Sequence, residues 1–169
     1  FVVFLFFFIS SSLVSRVSKE INRREKKGNS RDMVQVLANG LPAVLSLLLT
    51  RLPSLSIPAL VSFSSAVAEA TADTWSGSIG SLSHKDPLSI ITLTKVPKGI
   101  SGGVTLLGFL GGLSASLLVS SLSIGVFGLS LGMGCIIAGS GFLGSVLDSF
   151  FGAVFQVQYR AKDGSLTEK

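Results

Sequence analysis

Apolar and polar positions in this chain come in blocks rather than in alternation. Phe1 to Val14 (FVVFLFFFISSSLV) is apolar and hydroxylic throughout. It supplies about two-thirds of the roughly 20 residues a spanning helix needs. It therefore reads as the inner part of a first span in a piece of a longer protein. A signal peptide fits poorly, because no positively charged segment stands ahead of the run. Ser15 to Asp32 follows as a solvated basic loop, and Met33 to Leu52 as a second span, short and interrupted by Pro42. After a turn at Arg51 to Ser54, Ile57 to about Thr74 is a third span, with Ala66 and Ala70 as a small-residue packing face.

Trp75 to Gly103 is the longest polar connection. Its β-branched stretch Ser89 to Val96 predicts a strand or hairpin at the membrane surface. Val104 to Ile124 and Val126 to Leu147 are two more apolar runs, joined tightly near Gly125. Gly108/Gly112 and Gly128/Gly132 stand at the GxxxG spacing that lets helix backbones approach closely. The pattern predicts an all-α membrane protein: one glycine-rich bundle of about five spans over residues 1–156, then a polar tail over 157–169.

Composition agrees. Only 14% of residues are charged and the mean hydropathy is +0.66, where soluble domains carry roughly 25% charged residues. The formal net charge of +5 needs no nucleic acid to explain it, since basic loops mark one face of a membrane protein. With the spans as drawn, every Lys and Arg except Arg51 falls on one side, so that face is expected to be cytoplasmic. The single Cys135 excludes an internal disulfide.

Charge within the apolar blocks carries the chemistry. Glu69 and Asp73 lie four residues apart in AVAEATADTWSGSIG, on one helix face. Asp148-Ser149-Phe150-Phe151-Gly152 echoes Asp73-Thr74-Trp75-Ser76-Gly77 at the end of another apolar run. Acids in spans are costly and by default functional. Hard-cation binding is one reading, with the carboxylates holding Mg²⁺ that bridges substrate phosphates. Pairing with Lys or Arg at helix ends is the other.

On the same face, Lys95, Lys98, Arg31 and Lys27 are candidates to neutralise phosphate oxygens, against the plainer reading of a basic loop. Gly102-Gly103 leading into Val104-Thr105 is either an anion site at a helix start or a tight turn. Gln35 and Asn39, again four apart, serve either substrate contact or inter-helix bonding.

Four blocks in order resemble the transmembrane protein 19 family. They are Arg31…Gln35-Val36-Leu37-Ala38-Asn39-Gly40, then Ala72-Asp73-Thr74-Trp75…Gly80. Ile91-Thr92…Lys95-Val96-Pro97…Gly99…Gly102-Gly103-Val104-Thr105…Gly108 is the third, and Gly144-Ser145…Asp148-Ser149…Gly152-Ala153…Gln156 the fourth. The match runs from about Ser10 to Tyr159. Gly77-Ser78 stand where the family usually carries Ser-Glu, and the family continues beyond this C-terminus.

That family of multi-pass membrane proteins includes the plant phytyl-phosphate kinase. The resemblance therefore implies phosphoryl transfer from a nucleoside triphosphate to a membrane prenyl monophosphate, with Mg²⁺. Asp73, Asp148 and Lys95 would carry the chemistry, and Asp73, Asp148 and Glu69 the metal. Arg31, Gln35, Asn39, Glu69, Thr74, Gly102, Gly103, Thr105 and Ser149 would bind substrate. The alternative is a transporter or structural membrane protein whose acids relay ions or protons.

Overall fold

The computed structural model describes residues 1–21, 33–156, 159–160 and 166–167, with side chains given for 1–21 and 40–156. Among the described residues five helices make the bundle: α1 Val2–Ile21, α2 Met33–Leu49, α3 Ser56–Gly80, α4 Leu106–Phe127 and α5 Leu131–Phe155. Among the described residues four stretches are long and apolar enough to cross a membrane: Val2–Ile21, Pro53–Gly80, Leu106–Phe127 and Leu131–Phe155. At 17 residues, α2 falls short of the roughly 20 a span requires. β1 (Leu88–Ser89) pairs antiparallel with β2 (Gly103–Val104), and beyond α5 the short strands β3 (Tyr159–Arg160) and β4 (Leu166–Thr167) pair likewise.

α3 is the centre of the bundle and packs against each of the other four helices. Its inward face is nearly all small, with Ala59, Ala68, Ala70 and Ala72 buried beside Phe63 and Val67. Glycines on the neighbours meet that face. A Cβ on Gly108 would lie 2.8 Å from the Ser76 carbonyl oxygen, and one on Gly141 would lie 2.6 Å from Ala68 Cβ. With lipid tails as apolar as the side chains, this close van der Waals fit and interhelical hydrogen bonding hold the helices together. Ser120 Oγ donates to Gly134 O at 2.6 Å and Ser116 Oγ to Ala138 O at 2.5 Å, tying α4 to α5. Ser46 and Ser62 hydroxyls, 2.8 Å apart, tie α2 to α3.

Several boundaries move outward from the sequence reading. α1 continues through Ser15 to Ile21, taking the first part of the expected loop. Ser18 is buried there, and its Oγ donates to Ser78 O at 2.7 Å. α3 likewise runs on through Trp75 to Gly80. The turn between the last two helices lies at Gly128–Ser130, not near Gly125. Gly128 takes a left-handed φ of 65° as C-cap, and Ser130 Oγ accepts from Met133 N as N-cap. Gly128 and Gly132 are therefore not a packing motif; on α5 that work falls to Gly134, Gly141 and Gly144.

Ser89 to Val96, expected as a strand or hairpin, folds back on itself as a tight hairpin: Ser89 N–H donates to Thr94 O at 2.8 Å and Val96 N–H to Pro87 O at 2.9 Å. Leu88 pairs with Val104 on one side and bridges to Lys95 on the other. The chain turns back through Leu93 at φ 55°, whose N–H donates to Ser89 O at 2.8 Å. The segment's backbone bonds are satisfied over so short a reach that two residues suffice as strand.

Candidate functional site

Side-chain bonds bring four helix ends to one face. Ser15 and Ser18 of α1 bond Ser78 and Ser81 of α3. Thr105 accepts from Gly108 N at 3.0 Å as the α4 N-cap and donates to Gly80 O at 3.4 Å. Gly102 seats the loop on α5: its φ is +76°, and a Cβ there would run into Ala153, within 2.9 Å of its Cα. Lys85, Lys95 and Lys98 stand on the connection at this face, and Arg51 on the turn at the opposite end of α3.

The acids meet just beneath that face. Asp73 and Asp148 each stand seven residues before the last residue of their helix, about 10 Å in at 1.5 Å rise per residue. Glu69 reaches from α3 to within hydrogen-bond distance of the Asp148 carboxyl, with Asp73 close enough to act on it electrostatically. Gly144 makes this possible, since a Cβ there would lie 2.6 Å from Glu69 Cγ. Glu69 Oε1 is buried and has no hydrogen-bond partner among the described residues. Two carboxyls at this separation repel unless a proton or a cation lies between them.

Asp73 and Asp148 line a cavity of about 1400 Å³, larger than the roughly 300–1,000 Å³ of ordinary ligand sites. Lys19, Lys85 and Lys98 line it at the basic face, and Phe4, Phe7, Phe8, Ala43 and Val67 at the other end. It is thus charged at one end and apolar at the other.

The residues singled out from the sequence divide as follows. Thr74, Gly102, Gly103, Thr105 and Ser149 line the cavity with the two aspartates. Thr74 and Ser149 hydroxyls donate to their own helix, at Ala70 O and Ser145 O. Gly103 N–H donates to Ile100 O, which favours the tight-turn reading of the glycine pair. Lys95 is exposed on the loop and does not border the cavity; Lys98, Lys85 and Lys19 do. Arg31 and Lys27 lie outside the described residues, as do the side chains of Gln35 and Asn39, whose backbone belongs to α2.

Among the described residues no three His, Cys, Asp or Glu side chains are arranged around one ion. Mg²⁺ needs no such cage, since one or two carboxylates, waters and substrate phosphates complete its shell. The Glu69–Asp148 pair with its orphaned oxygen fits that donor set. Sequence reasoning missed the wall contributed by α1 and the space made by Gly144. The first was readable: Phe4, Phe7, Phe8, Ser11, Ser15 and Ser18 recur at helical spacing.

A multi-pass α-helical bundle with carboxyls and lysines gathered at one membrane face is the class these features define. The chain belongs to the family described as "Integral membrane protein DUF92", which matches over residues 1–169. This agrees with the resemblance carried by the four sequence blocks. It is similar to "Uncharacterized membrane protein MJ0933" of Methanocaldococcus jannaschii, 36% identical over 156 residues, 92% of this chain and 64% of that protein. It is also similar to "Protein PGR" of Arabidopsis thaliana, 34% identical over 181 aligned residues, 90% of this chain and 62% of that protein. The chain thus spans somewhat less than two thirds of either relative. No solved structure matches it.

Proposed function

We propose that this multi-pass membrane protein is a prenyl-phosphate kinase. The observation that carries the reading is the two-ended cavity: three lysines at the basic end with Asp73 and Asp148 beneath them, aromatic and aliphatic side chains at the other end. A single-chain lipid phosphate has the same division. Its tail would occupy the apolar end, while its phosphate meets the basic face alongside a nucleoside triphosphate. An acceptor phosphate oxygen forms a bond to the γ-phosphorus as the bond to the β-phosphate oxygen breaks, leaving the diphosphate of each partner.

Glu69 and Asp148 would hold the Mg²⁺ that accompanies the nucleotide, with Asp73 adding negative charge beside them, and the ion's charge would neutralise the transferring phosphoryl group. Lys19, Lys85 and Lys98 would position the phosphates. The protein itself contributes placement and charge, which is most of what phosphoryl transfer asks of a catalyst.

The test is an assay of the full-length protein with prenyl monophosphates and nucleoside triphosphates. Asp73→Asn or Asp148→Asn keeps size but removes the charge, so turnover is expected to fall by about 10²-fold or more. Intact turnover in Asp73→Asn overturns the reading. Ion or proton flux without phosphoryl transfer establishes the relay alternative instead.

A further inference from the structure

The proposed acceptor cavity has one wall that bears no acid. Phe4, Phe7, Phe8, Ser11 and Ser15 of α1 border it, at the spacing of one helix face. The face is graded along the helix, aromatic first and hydroxylic after, and Lys19 closes it at the basic end.

Hydrogen bonds fix how α1 stands against α3. The Ser15 and Ser78 hydroxyls are 3.2 Å apart and those of Ser18 and Ser81 2.8 Å apart, each pair 63 positions apart in sequence. That offset sets Ser11 level with Thr74, next to Asp73, and Phe7 level with Ala70. Ser11 is only 5% exposed, and its Oγ has no hydrogen-bond partner among the described residues. Helical serines commonly donate to the carbonyl four residues back, as Ser46, Ser114 and Ser123 do here. Ser11 does not. A buried hydroxyl left unpaired is costly, and the residue that carries it borders the cavity at the depth of the acids.

We propose that Ser11 donates its hydroxyl to the phosphate of the acceptor lipid, and that Phe7 and Phe8, one turn below, receive the start of its tail. This rests on the prenyl-phosphate reading. A neutral donor suits the position, because it bonds a phosphate oxygen without adding a charge that the nearby carboxylates would capture.

The test measures binding to the whole protein in lipid nanodiscs, without nucleotide, using geranylgeranyl monophosphate and the matching alcohol. Ser11→Ala is expected to weaken the monophosphate about tenfold, the scale of a hydrogen bond to a charged acceptor, and to leave the alcohol unchanged. Ser11→Thr retains the hydroxyl and is expected to recover most of the loss. Ser114→Ala, whose hydroxyl already serves Leu110 O on an exposed helix face, is expected to change nothing. Phe8→Ala is expected to weaken monophosphate and alcohol alike.

Equal loss of both ligands in Ser11→Ala, or of neither, overturns the inference. Phosphatidic acid or inorganic phosphate binding as tightly as the prenyl monophosphate overturns the tail assignment. Because nucleotide is absent, Ser11-dependent binding without turnover sinks the kinase reading alone, whereas turnover indifferent to Ser11 sinks only this one.

Discussion

The two halves of the bundle are packed by different rules. Between α3, α4 and α5, glycines and serines bring backbones together so closely that Gly108, Gly141 and Gly144 have no room for a Cβ. Around α1 the packing is looser, since it buries a smaller share of its residues than α3, α4 or α5, and on α2 a Cβ on Gly40 would meet nothing within 4 Å among the described residues. The difference assigns tasks. The tight half fixes Glu69, Asp73 and Asp148 against one another, where a small misplacement would separate the carboxyls. The loose half leaves the space between α1 and the rest that becomes the cavity.

If tightness serves the acids, the largest effect of any glycine replacement belongs at Gly144. Gly144→Leu would drive a side chain into the space held by Glu69 Cγ. Overpacking costs about 1–3 kcal/mol and sometimes more, and the Glu69–Asp148 contact would be lost with it. We expect a lower thermal midpoint and, under the kinase reading, activity reduced roughly as far as in Asp148→Asn. A Gly144→Leu protein with full activity would separate the tight packing from the site.

A smaller effect is expected where the tight half meets the loop. Gly102→Ala faces two penalties at once: a positive φ and contact with Ala153. An L-residue in that backbone region costs about 1–3 kcal/mol, and the loop carrying Lys98 would have to lift from α5. The expected outcome is modest loss of stability with faster proteolysis within 88–104. Unchanged proteolysis would mean that the loop is held from β1 and β2 alone.

These contrasts also explain what was legible in the sequence. The helices, the acids and their common face followed from block hydropathy and from the cost of charge in a span, although Asp148 is exposed and Glu69 and Asp73 only half-buried, and Gly108 and Gly112 declared their packing by spacing. Helix ends were less legible, because Ser15, Ser18 and Ser78 look like loop residues until they are seen bonded to one another across α1 and α3. Lys95 sits in a β-branched run and is exposed, whereas Lys19, in the stretch that the pattern assigns to a loop, lies on α1 and borders the cavity. The partners of Glu69 were out of reach as well. Nothing local to Gly144 says which side chain will need its missing Cβ; that depends on how α5 lies on α3.

On the loosely packed side a glycine replacement is expected to act least. Gly40 stands inside α2, where glycine carries an entropic cost of roughly 0.5–1 kcal/mol relative to alanine. Since a Cβ there meets no neighbour, Gly40→Ala recovers that cost without new strain. The expected result is a slightly raised thermal midpoint in detergent or nanodiscs, with ligand binding at the cavity unchanged although Gly40 borders it. The same replacement at Gly141, where the Cβ would press on Ala68 Cβ and Ser116 Oγ, is expected to lower the midpoint. Measuring both in one background makes the sign of the difference the readout. If Gly40→Ala destabilised as much as Gly141→Ala, α2 would be as closely fitted as α4 and α5, and the division of the bundle into a rigid half and a cavity-forming half would fall.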